Sequence, residues 1–238
     1  MAGELIKETA LELAGQWVAV RIFRNKRARR VILRLDDDAD GGDGVIVTLP
    51  NRASQKEGLA LVIDKAGWVL KQLDARLPRV PFADGAVVPL CGEDFCIRAI
   101  PGGRGVVRHE GTEILVAGRP EHLARRVQDW FKGQARGLIT EGVREKALML
   151  DKQPGRITIR DTKSRWGSCS HDGNLSFSWR LVMAPLGVLD YVVAHEVAHL
   201  AEHNHGPNFW RWVGELTADM GDAKEWLRRN GEALHRYG

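Results

Sequence analysis

The sequence predicts an α+β fold in two parts. An N-terminal β-rich part covers residues 1–119, and a C-terminal part, residues 120–238, sets a histidine-bearing helix next to a small antiparallel sheet. Three observations predict this. Short runs of β-branched residues, separated by Gly- and Asp-rich turns, fill much of the first half. After Pro120 the apolar period lengthens to three or four residues. Two further strands, 157–160 and 175–181, flank a polar loop just before the histidines.

In chain order, 17–23 reads as a strand, and 31–35 and 45–49 continue it. The Asp- and Gly-rich stretch 36–44 between them reads as an exposed loop. Residues 54–77 read as one helix, with Leu59, Val62, Ile63, Ala66, Val69, Leu70 and Leu73 at helical spacing, ended by Pro78 and Pro81. Short strands with glycine turns follow from Val87 to Val116. Pro120 then opens a long helix whose stripe is Leu123, Val127, Trp130, Phe131, Leu138, Ile139 and Val143. Pro185 precedes a helix reaching about His203, and a last helical region starts at Pro207.

Of the 238 residues, 44% are hydrophobic and 28% charged, which excludes a mainly disordered chain. No apolar run approaches the roughly 18 residues a membrane span needs. Glu4, Lys7, Glu8 and Glu12 stand where a signal peptide would be apolar. The three cysteines, Cys91, Cys96 and Cys169, form no disulfide framework, so a cytoplasmic setting is expected, with Cys91 and Cys96 as small core residues. No repeat of 20–50 residues is evident. The formal charge of +4 is too mild to imply nucleic-acid binding by itself. Within it, Arg21, Arg24, Lys26, Arg27, Arg29 and Arg30 form a run without an acid. That run reads either as a surface for nucleic acid or another anion, or as a solvated hairpin balanced by Asp36–Asp40.

The strongest signal is His195-Glu196-Val197-Ala198-His199. Residues four apart stack on one helix face, so both imidazoles can reach one ion. Imidazole pairs suit zinc, and Glu196 is placed to act as the base on a zinc-bound water. For a third ligand, His203 continues the row. Eight residues of helix rise about 12 Å, however, whereas ligands around one zinc sit ~3–4 Å apart. The chain must therefore turn back. Asn204 and Gly206, which accept positive φ, and Pro207, which cannot continue a helix, supply turn chemistry, which favours His205; Glu215 in the next helix is the alternative. Tyr191, Arg165 and His203 are candidates for stabilising a developing oxyanion.

The segment Arg160–Ser170 packs Arg160, Lys163, Arg165, Trp166 and several hydroxyls between two strands. It could wall a cleft and align an extended peptide by strand addition. It could equally grip phosphates through Arg160, Lys163, Arg165 and Arg180, or be an exposed hairpin loop with a half-buried Trp.

The combination RDTKSRWGSCS, GNLSFSWRLVMAP and LDYVVAHEVAHLAEHNHGPNFW resembles the YgjP-like metallopeptidases, a zincin-type family akin to the SprT-like and WLM proteases. RNKRARRVILRL, AGWVLKQL and EWLRRNG extend the match over nearly the full chain. The resemblance implies a C-terminal zincin-like domain, zinc at His195, His199 and His205, and Glu196 as catalytic base. The same histidine spacing occurs in metzincins, which carry glycine where Glu202 stands here. The resemblance also implies a peptide or protein substrate. A UTP pyrophosphatase activity attributed to a family member keeps a nucleoside triphosphate as an alternative. A non-catalytic binding module with structural zinc is the third.

Overall fold

The computed structural model describes residues 3–36, 44–75, 78–102 and 107–238. The expected loop 36–44 falls almost wholly outside the described residues, as does Leu77. Among the described residues no helix is long and apolar enough to cross a membrane. The fold is α+β. Its contacts group the chain into two compact units, Met1–Pro78 and Arg79–Gly238.

The first unit starts with β1 (Glu4–Leu13), β2 (Gln16–Arg24), β3 (Ile32–Leu35) and β4 (Gly44–Leu49). They form one sheet in the order β1-β2-β4-β3. Ala14 and Gly15, both at positive φ, close the β1–β2 hairpin, as a two-residue turn matched to strand twist requires. β2 and β4 run parallel, and β3 is antiparallel to β4. The expected single helix 54–77 is two, α1 (Gln55–Asp64) and α2 (Ala66–Asp74), broken at Lys65. Ser54 caps α1 through a reciprocal bond pair with Glu57. Gly58 lets α1 settle on the sheet, because a Cβ there would come 3.0 Å from both Val47 and Leu49. Val18, Val20, Ile22, Val45, Val47, Leu49, Val62 and Val69 build this unit's core. Within the basic run, Arg21 pairs with buried Asp36, and Arg24 donates to the carbonyls of Pro50, Asn51 and Ala53.

The second unit repeats that strand order. β5 (Val87–Leu90), β6 (Glu93–Ile100), β7 (Val107–Glu110) and β8 (Glu113–Ala117) form a sheet ordered β5-β6-β8-β7, with the same pairing senses. Cys91 and Gly92, again both at positive φ, turn its first hairpin. The repeat is one of topology, and its unlike side chains hide it from sequence comparison within the chain.

A 3-10 turn at Pro120–His122 leads into α3 (Leu123–Met149). Its buried stripe is Leu123, Val127, Phe131, Ala135, Ile139, Val143 and Ala147. That stripe packs into one core with Val88, Ile97 and Ile114 of the second sheet and with α4 (Leu186–Ala198). The compact units therefore divide at Pro78/Arg79, and the expected 119/120 boundary falls inside the second. The physical reason is that the second sheet has no core of its own apart from α3.

β9 (Ile157–Arg160), β10 (Gly167–Cys169) and β11 (Leu175–Ser178) form a three-stranded sheet ordered β10-β11-β9. Only β10 and β11 pair antiparallel; β9 joins β11 in parallel. The strand expected to reach Leu181 stops at Ser178, and Trp179–Met183 is a fully buried 3-10 turn. Two more helices, α5 (Pro207–Leu216) and α6 (Met220–Asn230), and a 3-10 turn, Glu232–Arg236, complete the chain.

Two polar braces fix these parts. Lys146 on α3 reaches Asp190 Oδ1 and the Leu216 carbonyl, each at 2.7 Å, tying α3 to α4 and to the end of α5. Arg180, expected among the phosphate-gripping cations, is buried instead. It donates to Asp161 Oδ1 at 2.9 Å and to the carbonyls of Leu234 and Tyr237 at 3.0 and 2.6 Å. Its donors are thus spent on the fold.

Arg180→Ala leaves two carbonyls and a carboxylate without their donor and should cost about 2–4 kcal/mol in urea unfolding. The same pair sets an acid limb. Burial alone would raise the Asp161 carboxyl, but the Arg180 guanidinium outweighs it and holds the carboxyl below its ordinary value. A depressed carboxyl stabilises the fold above the ordinary aspartate value and loses that contribution as pH falls through the folded value. Asp161→Asn should therefore flatten the stability profile below about pH 4, a change read from melting temperatures across pH.

Candidate metal centre

α4 is apolar almost all round, and Val188, Leu189, Val192, Val193, Ala194, Val197 and Ala198 are buried. His195 within it and His199 at its C-terminal cap are half-buried, while Leu186 and Gly187 at its start are exposed. The helix ends at Ala198, earlier than expected. Leu200 and Ala201 donate to the carbonyls of Val197 and Ala198, three residues back, which tightens the last turn. The turn does not use positive φ at Asn204 or Gly206: Gly206 is extended at φ −81° and ψ −176°, and Pro207 follows as the first residue of α5. Glu202 is also outside the left-handed region.

This path brings His205 back onto the helix face. One ligand atom from each of His195, His199 and His205 lies within 4.8 Å of the others. Nε2 of His195 and Nε2 of His205 are 3.2 Å apart. Two nitrogens ~2.0–2.1 Å from one tetrahedral ion would be separated by about 3.3 Å, so the spacing fits a shared cation. Among the described residues no fourth His, Cys, Asp or Glu joins this group, and exposed Glu215 is outside it.

The second layer suits the same use. His199 Nδ1 lies 3.1 Å from the Glu202 carbonyl oxygen. A carbonyl only accepts, so Nδ1 carries the proton and Nε2 keeps its lone pair for a metal. Burial, followed by the charges of His199, His205 and Lys224, pushes His195 down to about 4, and burial likewise lowers His199. Neutral imidazoles are the form that binds metal. Phe209, fully buried on α5, sets its ring centroid 4.9, 4.5 and 4.6 Å from those of His195, His199 and His205. It is the packing hub of the cluster. Trp210 stacks against His205 at 5.8 Å.

Glu196 is buried against β10 and is not one of the three grouped ligands. The Cys169 backbone N–H donates to its carboxyl, and the Arg165 charge acts on it. Burial outweighs both and raises the carboxyl to about 7. The close approach depends on Gly167, whose absent Cβ would stand 2.6 Å from Glu196 Oε1.

Three histidines that could hold a metal ion thus stand next in sequence and structure to a buried carboxyl. A family model described as YgjP-like, metallopeptidase domain, matches residues 29–230. The chain belongs to the YgjP-like metallopeptidase family. Membership implies a metal ion and a peptide or protein substrate. No match was found among curated proteins or among solved structures.

The other expected site residues of this YgjP-like chain are spread around the cluster. Tyr191, one turn before His195, sets its ring 6.0 Å from the His195 ring. His203 is exposed and packs on His171 at 4.6 Å, outside the ligand group. Trp166 stacks on His235 at 5.2 Å. Arg160 is exposed at the end of β9, and Lys163 is exposed in the following loop. Sequence reasoning missed Gly167, Phe209, Trp210 and Lys224. For Phe209 and Trp210 a signal existed: an aromatic pair opening the helix that directly follows the third histidine.

Proposed function

We propose that this protein is a zinc-dependent peptidase in which His195, His199 and His205 hold the ion and Glu196 is the general base. The convergence of three imidazole nitrogens beside one buried carboxyl carries this reading. Zinc is the choice because a three-histidine set with room for a further ligand is its catalytic donor pattern. When bound, the ion would polarise a substrate carbonyl and make water a stronger acid.

The protein's own residues supply the rest. Glu196, raised toward neutrality, takes a proton from the attacking water and passes it to the departing amine nitrogen. Its hydrogen bond from Cys169 fixes the carboxyl for both transfers. Tyr191 and Arg165 are the groups we assign to the developing oxyanion, since one neighbours His195 and the other acts on Glu196. β10 is an edge strand of its sheet, so an extended peptide can align beside it. We place the protein in the cytoplasm on the strength of its three free cysteines.

The test is metal analysis with paired assays. The purified protein should take up one equivalent of zinc, and His205→Ala should weaken that binding at least 10-fold. Cleavage of unfolded protein should stop with chelator and return with zinc. Hydrolysis of UTP with no cleavage of any peptide would overturn the reading, as would failure to bind zinc.

A further inference from the structure

Lys224 is a cation that the scheme above leaves unused. It rises from α6, and its Nζ sits 3.6 Å from the centroid of the Trp210 ring and 6.0 Å from that of Tyr191. Those two aromatics flank His195, with Trp210 at 5.8 Å and Tyr191 at 6.0 Å between centroids. The ammonium is thus held in place by cation–π contact, at the wall of the metal centre, and stays exposed.

No carboxylate among the described residues neutralises it. Asp190 is paired with Lys146, and Glu225 with Arg228 and Arg229. Glu196 is turned toward β10 and Arg165. A divalent ion on the histidines would add to an already positive wall. An exposed ammonium held beside a dication attracts an incoming anion to both.

We infer that Lys224, held over Trp210, binds a carboxylate of the substrate. On the peptidase reading above, on which this rests, the protein then favours peptides bearing a carboxylate within one or two residues of the scissile bond. The span fits: one indole separates the ammonium from His195 and His205, and extended chain covers about 3.3–3.6 Å per residue. The carboxylate can come from a free C-terminus or from an Asp or Glu side chain.

Calorimetry on zinc-loaded Glu196→Gln protein, which binds without turnover, separates the cases. Three N-acetylated tetrapeptides serve as probes: one with a free C-terminus, one amidated and neutral, and one amidated with an internal Glu. At least one carboxylate peptide should bind about tenfold more tightly than the neutral amide, and which one does so identifies the source. Adding Lys224→Met should bring that ratio below about twofold with zinc content and melting temperature retained, and Lys224→Arg should restore it. An unchanged ratio in the Lys224→Met protein, or no preference to begin with, overturns the inference. Binding of the neutral amide in that case leaves the peptidase reading standing. If none of the three peptides binds, both fall.

Discussion

Glu196→Gln should keep a full equivalent of zinc and lose about 10²–10⁴-fold in turnover. Gln matches the shape of Glu and can still accept from the Cys169 N–H that holds the side chain, so the fold has no reason to respond. What it lacks is a basic oxygen. Zinc content and kcat should therefore separate cleanly, and equal turnover in the two proteins would remove Glu196 from the chemistry. Had Glu196 been a ligand, the substitution would cost metal first, but its carboxyl lies outside the histidine cluster.

Gly167→Ala should produce the second large effect, roughly 10²-fold in turnover, with zinc binding kept. A Cβ at this position would stand 2.5 Å from Glu196 Cγ and 2.8 Å from Cδ. Real carbons do not approach so closely, so the carboxyl must move. Displacing a reacting group by about 1 Å commonly costs that much. Gly167 is not among the positive-φ glycines, so backbone strain makes no contribution. Gly167→Val should be worse, because the bulk grows on the same side. Turnover, zinc content and melting temperature measured together check this, and a fully active alanine variant would show that the base does not need its seat on β10.

Much of the histidine cluster was legible because helix geometry is local. The His195–His199 spacing fixes a shared face, and the rise of a helix rules out His203 as the third ligand of a straight one. The reason for the turn was misassigned: Gly206 works as an extended cap and not as a left-handed residue. Gly167, Phe209 and Lys224 were not legible, since each acts across a tertiary contact between segments distant in sequence. β1 escaped notice for a different reason. Its Lys7, Glu8 and Glu12 mask an edge strand, where one side faces solvent and charge is tolerated. The domain boundary was drawn where periodicity changes, but a sheet belongs with whichever helix covers it, and α3 covers the second sheet.

Residues 234–237 have a role that their distance in sequence from the loop 161–166 would not suggest. The loop 161–166 is moored at both ends to the last residues: Asp161 through Arg180 to the carbonyls of Leu234 and Tyr237, and Trp166 through its stacking on His235. Arg165 hangs between those moorings. Losing residues 234–237 would untie both ends of that loop in one stroke, so damage to this short segment would be felt first around Arg165, far from it in sequence.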